Sequence, residues 1–552
     1  MVRVIEVLPG DIDRAINDDH VLLDQLFRRL ETGQGDRRIL ADQVVYRISM
    51  HLAAEEQVLD PVFDEPTVTD RLSVDGASPD GPAGRRLTAG SAAELVQRGR
   101  DTRQRIKEAA AEIDRSRPGN LDFEEALNHL IADVRRQAAD QEGVLLPALR
   151  AAVGPQRMAE LGAQFTAAKY RAPTHPHPQT PNTSRSSRLL GGPAALVDRL
   201  RDRTSGRRGW FATDASGLLE PQSQALLDAF AALGPRPTEI LDPAEARRQP
   251  TLSDAVARIR TDRGDLEERE PVDSVFDFAI DGPGGELTLR VYRPTSASPA
   301  GGLPVLIYLY AGGWVVGSLD TYDATPRALC NKERCLVVAV DYRHAPEHPF
   351  PAAHDDVLAA TRWLLDNAGE IGGDPERIAI AGEAAGGNMA VATCLQLRDA
   401  GQRLPLLQVL IYPVTSVTVD DGSGVDAADA APLNRPMLSW FARHAFPRPE
   451  MLDDPRVALL DLPVQRLAGL PPAVVLTVER DPLRDQGQAF VQRLRAAGVP
   501  VEHIHYDGVP HEFFGMGAVL DVAEAAQDRV AAELHTVFNP SGQSSSGWPT
   551  GL

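Results

Sequence analysis

A glycine-rich turn carries the first chemistry legible in this chain. The strand-like run RIAIAG (377–382) passes into GEAAGGNMAVATCL, so Gly382-Glu383-Ala384-Ala385-Gly386 makes a sharp turn that opens a helix. A G-x-S-x-G turn in that setting raises a serine above a sheet edge as an acyl-transfer nucleophile. Both glycines are present and the serine is not: Ala384 occupies the nucleophile position. Downstream, Asp481 in VERDPLRD and His511 in YDGVPHEFFG each stand just past a strand-like run. Nucleophile position, acid, then histidine is one of the known chain orders of a Ser–acid–His triad. Upstream, YLYAGGWVVGSLDTYD (308–323) follows a strand and offers backbone N–H groups for an oxyanion hole. Ser416 and Ser439 lie near no such turn and are poor replacement nucleophiles, and Trp314, Phe513 and Phe514 read as core.

A second group of residues has metal-ligand character. His51 and Glu55 are four apart on one helical face, where an imidazole and a carboxylate can grip one ion. His20, after Asp19 on the preceding helical stretch, completes an inward-facing trio. His129 reads as a surface histidine, and His175 and His177 as linker residues. HLAAEEQVLDPVF (51–63) and QAADQEGVLLPAL (137–149) align without gaps, sharing Ala53/Ala139, Glu56/Glu142, Val58/Val144, Leu59/Leu145 and Pro61/Pro147. That repeat implies a duplicated two-helix unit.

These residues need two different frameworks, and the chain is long enough for both. It has 552 residues, 43% of them hydrophobic, which is ample for more than one core. A formal net charge of −21 argues against nucleic acid or an anionic membrane as a general partner. Cys330, Cys335 and Cys394 cannot make a disulfide framework, which suits a reducing compartment. No apolar leader opens the chain and no apolar run is long enough to span a membrane, so the expected location is cytoplasmic. A homo-oligomer is compatible with the sequence.

Periodicity divides the chain. Over 8–155 apolar residues recur at three- and four-residue steps, as in VLLDQLFRRL and ILADQVVYRISMHLAAEEQVL, which predicts an all-α four-helix bundle. Residues 156–217 read as a Pro/Ser/Arg-rich linker with a short helix. Its stretch 184–210 carries seven Arg against two Asp, a solvated or docking face. From 218 to 538, strand-like runs at 286–292, 304–310, 335–342, 377–382, 406–414, 473–479 and 501–508 alternate with amphipathic helices. That pattern predicts a mostly parallel α/β sheet covered on both faces. Residues 539–552 read as a disordered tail.

With those motifs in view, residues 8 to about 208 resemble the hemerythrin-like cation-binding family. The resemblance implies two iron ions held by a His and a His-x3-Glu from each half. His20, His51 and Glu55 match the first set, whereas Gly90, Gln137 and Gln141 stand at the positions of the second. Gln brings neither imidazole nor charge, so the expectation is a metal-free bundle, with a single iron or other divalent ion as the alternative.

Residues 218–538 resemble the bacterial hormone-sensitive-lipase-like carboxylesterases, through LLEPQSQALLDAFAAL, DYRHAPEHPFPAAHDD and the DPLRD and HEFF stretches. The resemblance implies an α/β-hydrolase fold with a helical cap and no cofactor. It makes Asp481 the residue that orients His511, His511 the general base, and the N–H groups of Gly312, Gly313 and Ala385 the oxyanion hole. The family's His-Gly-Gly-Gly-Trp reads Tyr310-Ala311-Gly312-Gly313-Trp314, and Ala311 is expected to strain the loop if its position needs positive φ. The leading expectation is a pseudo-esterase that binds a small ester- or acid-like ligand, as the plant gibberellin receptor uses the same pocket. An active or weakly active carboxylic-ester hydrolase, and a metal- or oxygen-sensing bundle, are the alternatives. Tyr310, Ala311 and the altered bundle ligands favour natural loss of the serine over an engineered change of an ordinary GESAGG turn.

Overall fold

The computed structural model describes residues 11–66, 68, 89–176, 198, 216, 218–265, 269–295, 302–418 and 422–540. Two compact units divide the chain: Met1–Phe211 with Ala215–Gly217 and Arg236–Leu241, and Ala212–Asp214 with Leu218–Pro235 and Asp242–Leu552. No described helix is long and apolar enough to cross a membrane.

The first unit contains helices α1 (Ile12–Thr32), α2 (Arg37–Phe63), α3 (Ala89–Arg115), α4 (Leu121–Asp140), α5 (Leu146–Val153) and α6 (Pro155–Arg171). Local signals set their ends. Gly33, at φ 72, takes the left-handed conformation that stops α1, and the Asp36 carboxylate caps α2 by accepting from the N–H groups of Arg38 and Ile39. Between α4 and α5 the helix widens into a single π turn over Gln141–Leu145, where the Leu146 N–H returns to the Gln141 carbonyl. Pro147, which has no N–H to continue the regular ladder, follows immediately. Among the described residues two large apolar clusters fill the interior, with a small third one at Met50, Ala53 and Ala172. One gathers Ile16, Val58, Leu59, Leu149, Met158, Leu161 and Phe165, and the other Leu26, Phe27, Val44, Ile48, Ile106, Phe123 and Leu130. His20, His51, Glu55, Gln137 and Gln141 fall between them along the helices.

One boundary differs from the sequence reading. Residues 156–171, taken there as the start of the linker, lie in α6 and bury Met158, Leu161, Phe165 and Ala168. Their three- and four-residue spacing is a core-facing stripe, which the Pro-rich composition just beyond it obscured. The basic stretch 184–210, apart from Asp198, lies outside the described residues, as does the tail from 541 onward.

The second unit is built on one eight-stranded sheet in the order β1-β2-β4-β3-β5-β6-β7-β8. Its strands are β1 (Ser274–Gly282), β2 (Gly285–Arg293), β3 (Leu303–Leu309), β4 (Leu336–Val340), β5 (Gly373–Glu383), β6 (Gln408–Ile411), β7 (Ala473–Arg480) and β8 (Val501–Pro510). A hairpin joins β1 to β2, and β2 meets β4 antiparallel; the other pairings are parallel. The parallel strands are Val/Leu/Ile runs because both faces are covered. Strand β1 went unread in the sequence because it is a largely exposed edge, with Phe276 39% accessible. Since β3, β5, β7 and β8 run parallel, the loop after β3, Ala384, Asp481 and His511 all emerge at the carboxyl edge, where ligands bind in such sheets. Helix α7 (Ala385–Asp399) starts from the turn after β5.

If α6 is part of the bundle core, Phe165→Ala should destabilise the bundle by about 3–5 kcal/mol. Urea titration of the full-length chain checks this; an unchanged midpoint for the bundle transition would place the helix outside the core.

Candidate functional site

The turn after β5 is fixed by close backbone packing. A Cβ on Gly382 would stand 2.2 Å from the Gly386 carbonyl carbon, and one on Gly386 would stand 2.1 Å from the Leu309 carbonyl oxygen. Only glycine fits at either place. Between them Ala384 adopts φ 48, ψ −108, a conformation that L-residues take up at a cost. It is held there by its N–H to Ile411 O at 2.9 Å and by the Val414 N–H on its own carbonyl at 3.0 Å. The elbow geometry is therefore intact around a methyl group.

Asp481 and His511 are brought together as the sequence reading expects. His511 Nδ1 lies 2.9 Å from Asp481 Oδ2, and the second carboxylate oxygen accepts the Leu483 N–H at 2.9 Å. Both side chains are buried. Burial alone would lower the His511 pKa, but the facing Asp481 carboxylate outweighs it, so the imidazole titrates above its ordinary value. The Tyr412 ring packs 4.4 Å from that of His511, and Tyr412 directly follows Ile411, the hydrogen-bond partner of Ala384. No described residue takes up His511 Nε2.

In the loop after β3, Gly312 and Gly313 adopt φ 100 and 57, and a Cβ on either would collide with Val316 O or the Phe441 ring. Among the described residues nothing accepts from the N–H groups of Gly312, Gly313 or Ala385. The last is a first-turn donor of α7, with no partner inside the helix. The expected strain at Ala311 is absent: positive φ falls on Gly312, Gly313 and Trp314 instead, so alanine fits at 311. Tyr310, where a histidine was expected, stacks between Tyr322 and Tyr342. Its hydroxyl meets His344 Nε2 at 3.2 Å. Trp314 packs in the core against Phe446.

Sequence reasoning missed three braces. The Tyr342 hydroxyl donates to the carbonyls of Tyr310 and Ala311, both at 3.0 Å, pinning the loop from behind. Arg247 donates to the carbonyls of Val315 and Ala345 and pairs in a fork with Glu347. Glu383, beside the nucleophile position, is wholly buried and accepts from Tyr308 and Tyr412 at 2.6 Å and from Thr325 at 3.0 Å. With those hydroxyls on it, Glu383 is a brace and not a substitute nucleophile. No local motif announces any of these, because the partners of Tyr342, Arg247 and Glu383 are 29 to 100 residues away in sequence.

The centre of the bundle unites its expected ligands in a different chemistry. His51 Nδ1 lies 2.8 Å from Asp19 Oδ2 and its Nε2 lies 3.1 Å from Glu55 Oε1. With a carboxylate on each nitrogen the ring is an imidazolium, which has no lone pair for a metal. Burial opposes these charges, yet the Glu55 and Asp19 carboxylates lift the His51 pKa to about 9, and His51 and Arg103 hold Glu55 down at about 2. Gln141 and Gln137 donate to the two Glu55 oxygens at 2.6 and 2.8 Å, and Arg103 approaches the second at 3.5 Å. Lys169 pairs with Asp19, and His20 Nδ1 turns to Glu142 at 2.7 Å. Gly90 lies in the first turn of α3. The di-iron centre implied by the family resemblance does not fit this donor set. Among the described residues no cluster of three His, Cys, Asp or Glu side chains is arranged to hold an ion. His129 is exposed, as expected of a surface residue. His175, expected in a linker, is instead buried with Nδ1 3.1 Å from Asp114, and His177 lies outside the described residues.

Residues 306–515 match the family model for the alpha/beta hydrolase fold. The chain is 35% identical over 322 residues to Esterase LipI of Mycobacterium tuberculosis, covering 58% of this chain and 99% of that protein. It is 40% identical over 250 residues to Carboxylesterase NlhH of the same organism, covering 45% of this chain and 78% of that one. Among solved structures, a serine-to-alanine mutant of LAE6, an alpha/beta hydrolase enzyme from the metagenome of Lake Arreo, is 40% identical with a TM-score of 0.53. That match covers 58% of this chain and 99% of the other.

The charged layer of the bundle gives it a pH signature. A His51 pKa raised from 6.5 to about 9 contributes stability that is complete below 6.5 and is lost as pH rises through 9. The Glu55 contribution is complete above 4.5 and is lost as pH falls towards 2. Thermal unfolding of the full-length chain should show the bundle transition falling between pH 6.5 and 9. His51→Gln should remove most of that alkaline fall; an identical slope in the variant would contradict the imidazolium assignment.

Proposed function

Because the chain belongs, through its C-terminal half, to the alpha/beta hydrolase fold family with esterase relatives, we propose that this half is a pseudo-esterase. In this reading it binds a small ester- or acid-like ligand at the carboxyl edge of the sheet and does not form an acyl-enzyme. The observation that carries the proposal is the intact elbow with a methyl group at residue 384, set among an oriented imidazole and uncommitted N–H donors. Acyl transfer needs an oxygen or sulfur nucleophile, and alanine has none. Removing the serine from such a triad costs about 10⁶ in turnover, while the donors that remain still give about 10³–10⁴ over water. The reading requires no cofactor.

His511 Nε2, free of any described partner, favours a slower second reaction. A water molecule gives its proton to Nε2 as its oxygen adds to the ester carbonyl carbon. The oxyanion rests on the Gly312, Gly313 and Ala385 N–H groups, and the departing alkoxide takes the proton back from His511. His511→Gln would abolish this residual rate; an unchanged rate would remove the second reading.

Hydrolysis of p-nitrophenyl acetate and butyrate by the chain with Ala384 and by Ala384→Ser tests the main proposal. The expected outcome is near-background turnover by the chain itself and a gain of at least about 10³-fold in the serine variant. Esterase-level turnover by the chain with Ala384, roughly 1–10³ s⁻¹, would overturn it.

A further inference from the structure

The ligand's charge can be read from what surrounds Ala384. Helix α7 runs for 15 residues from this turn, so its positive end and its first free N–H groups face the site. The N–H groups of Gly312, Gly313 and Ala385 have no acceptor among the described residues. His511, only 3% exposed, commits Nδ1 to Asp481 and leaves Nε2 without a described partner. A serine at 384 would bring a hydroxyl as a partner for that Nε2; the methyl group of Ala384 brings none. The nearby acids are already engaged: Glu383 by three hydroxyls, Glu512 by the Tyr322 hydroxyl, and Asp481 by His511 and the Leu483 N–H.

This set of donors matches two oxygens and one negative charge. An ester presents one strong acceptor, its carbonyl oxygen, and a weak alkoxy oxygen, so it leaves either the amide donors or the imidazole poorly satisfied. A carboxylate places one oxygen among the amide N–H groups and the other against His511 Nε2, which takes up a proton as the anion binds. Both contacts then become charge-assisted and about twice as strong as neutral ones. We propose that the Ala384 site is a receptor for free carboxylate anions in preference to their esters, the missing serine oxygen being replaced by an oxygen of the ligand. The inference rests on the binding reading of this same pocket and narrows its ligand class. Loss of the nucleophile thereby converts a site for acyl compounds into one for the corresponding acids.

Isothermal titration calorimetry on the full-length chain tests this, with acetate, butyrate, hexanoate, benzoate and phenylacetate each measured beside its methyl ester. At least one acid should bind at least ten times more tightly than its own ester. Ala384→Ser, which returns a hydroxyl to the second oxygen's place, and His511→Gln should each weaken that acid at least tenfold and the ester much less. Methyl esters binding as tightly as the acids, or acids unaffected by both variants, would overturn the carboxylate assignment and leave pocket binding standing. Silence from every acid and every ester would overturn both. Circular dichroism of each variant ensures that a loss of affinity is read only from folded protein.

Discussion

The backbone at residue 384 governs the second unit. Its positive-φ conformation, with ψ −108, costs about 1–3 kcal/mol in a non-glycine residue, and it persists because neighbouring contacts over-determine it. Gly382 and Gly386 pack at distances no side chain would permit, while the β6 segment binds both the N–H and the carbonyl of Ala384. None of these contacts involves a side chain at 384. The strain is a property of the sheet-to-helix crossing, so replacing a reactive side chain by a methyl group leaves the turn, the helix end and the amide donors where they were. That separation makes the geometry of the turn independent of which small side chain residue 384 carries.

The two units treat their buried polar groups in opposite ways. In the bundle the buried carboxylates are neutralised from within: Arg103 and Lys169 supply positive charge, His51 is held as an imidazolium, and two glutamine amides donate to Glu55. Buried carboxylates without a counter-charge would be prohibitively costly, so a layer like this must be neutralised by an ion or by side chains. In the α/β unit no described residue meets His511 Nε2 or accepts from the N–H groups of Gly312, Gly313 and Ala385. In the proposed reading those donors are kept for a ligand.

Positioning of the amide donors depends on contacts far apart in the chain. Tyr342 pins the loop after β3 through two carbonyls, and Arg247 ties its far end to Glu347 and Ala345. A fork of five guanidinium donors suits that task, since one side chain can fix several carbonyls and a carboxylate at once. With the loop held from behind, its glycines can turn their N–H groups outward.

The sequence by itself determined the α/β architecture, the turn around Ala384 and the pairing of Asp481 with His511. Doubly covered parallel strands must be continuous apolar runs, only glycine permits the turn, and chain order fixes which strand ends meet at one sheet edge. Edge strand β1 and helix α6 were harder to read, one because an exposed strand carries a weak burial pattern and the other because its stripe borders a Pro-rich segment. Tertiary structure alone decided the protonation of His51, whose two carboxylates come from different helices, and the ease with which Ala311 fits its loop. It also decided the braces at Tyr342, Arg247 and Glu383. Local spacing records which face of an element is buried, whereas charge state and hydrogen-bond partnership are set by groups that only folding brings within 3 Å of one another.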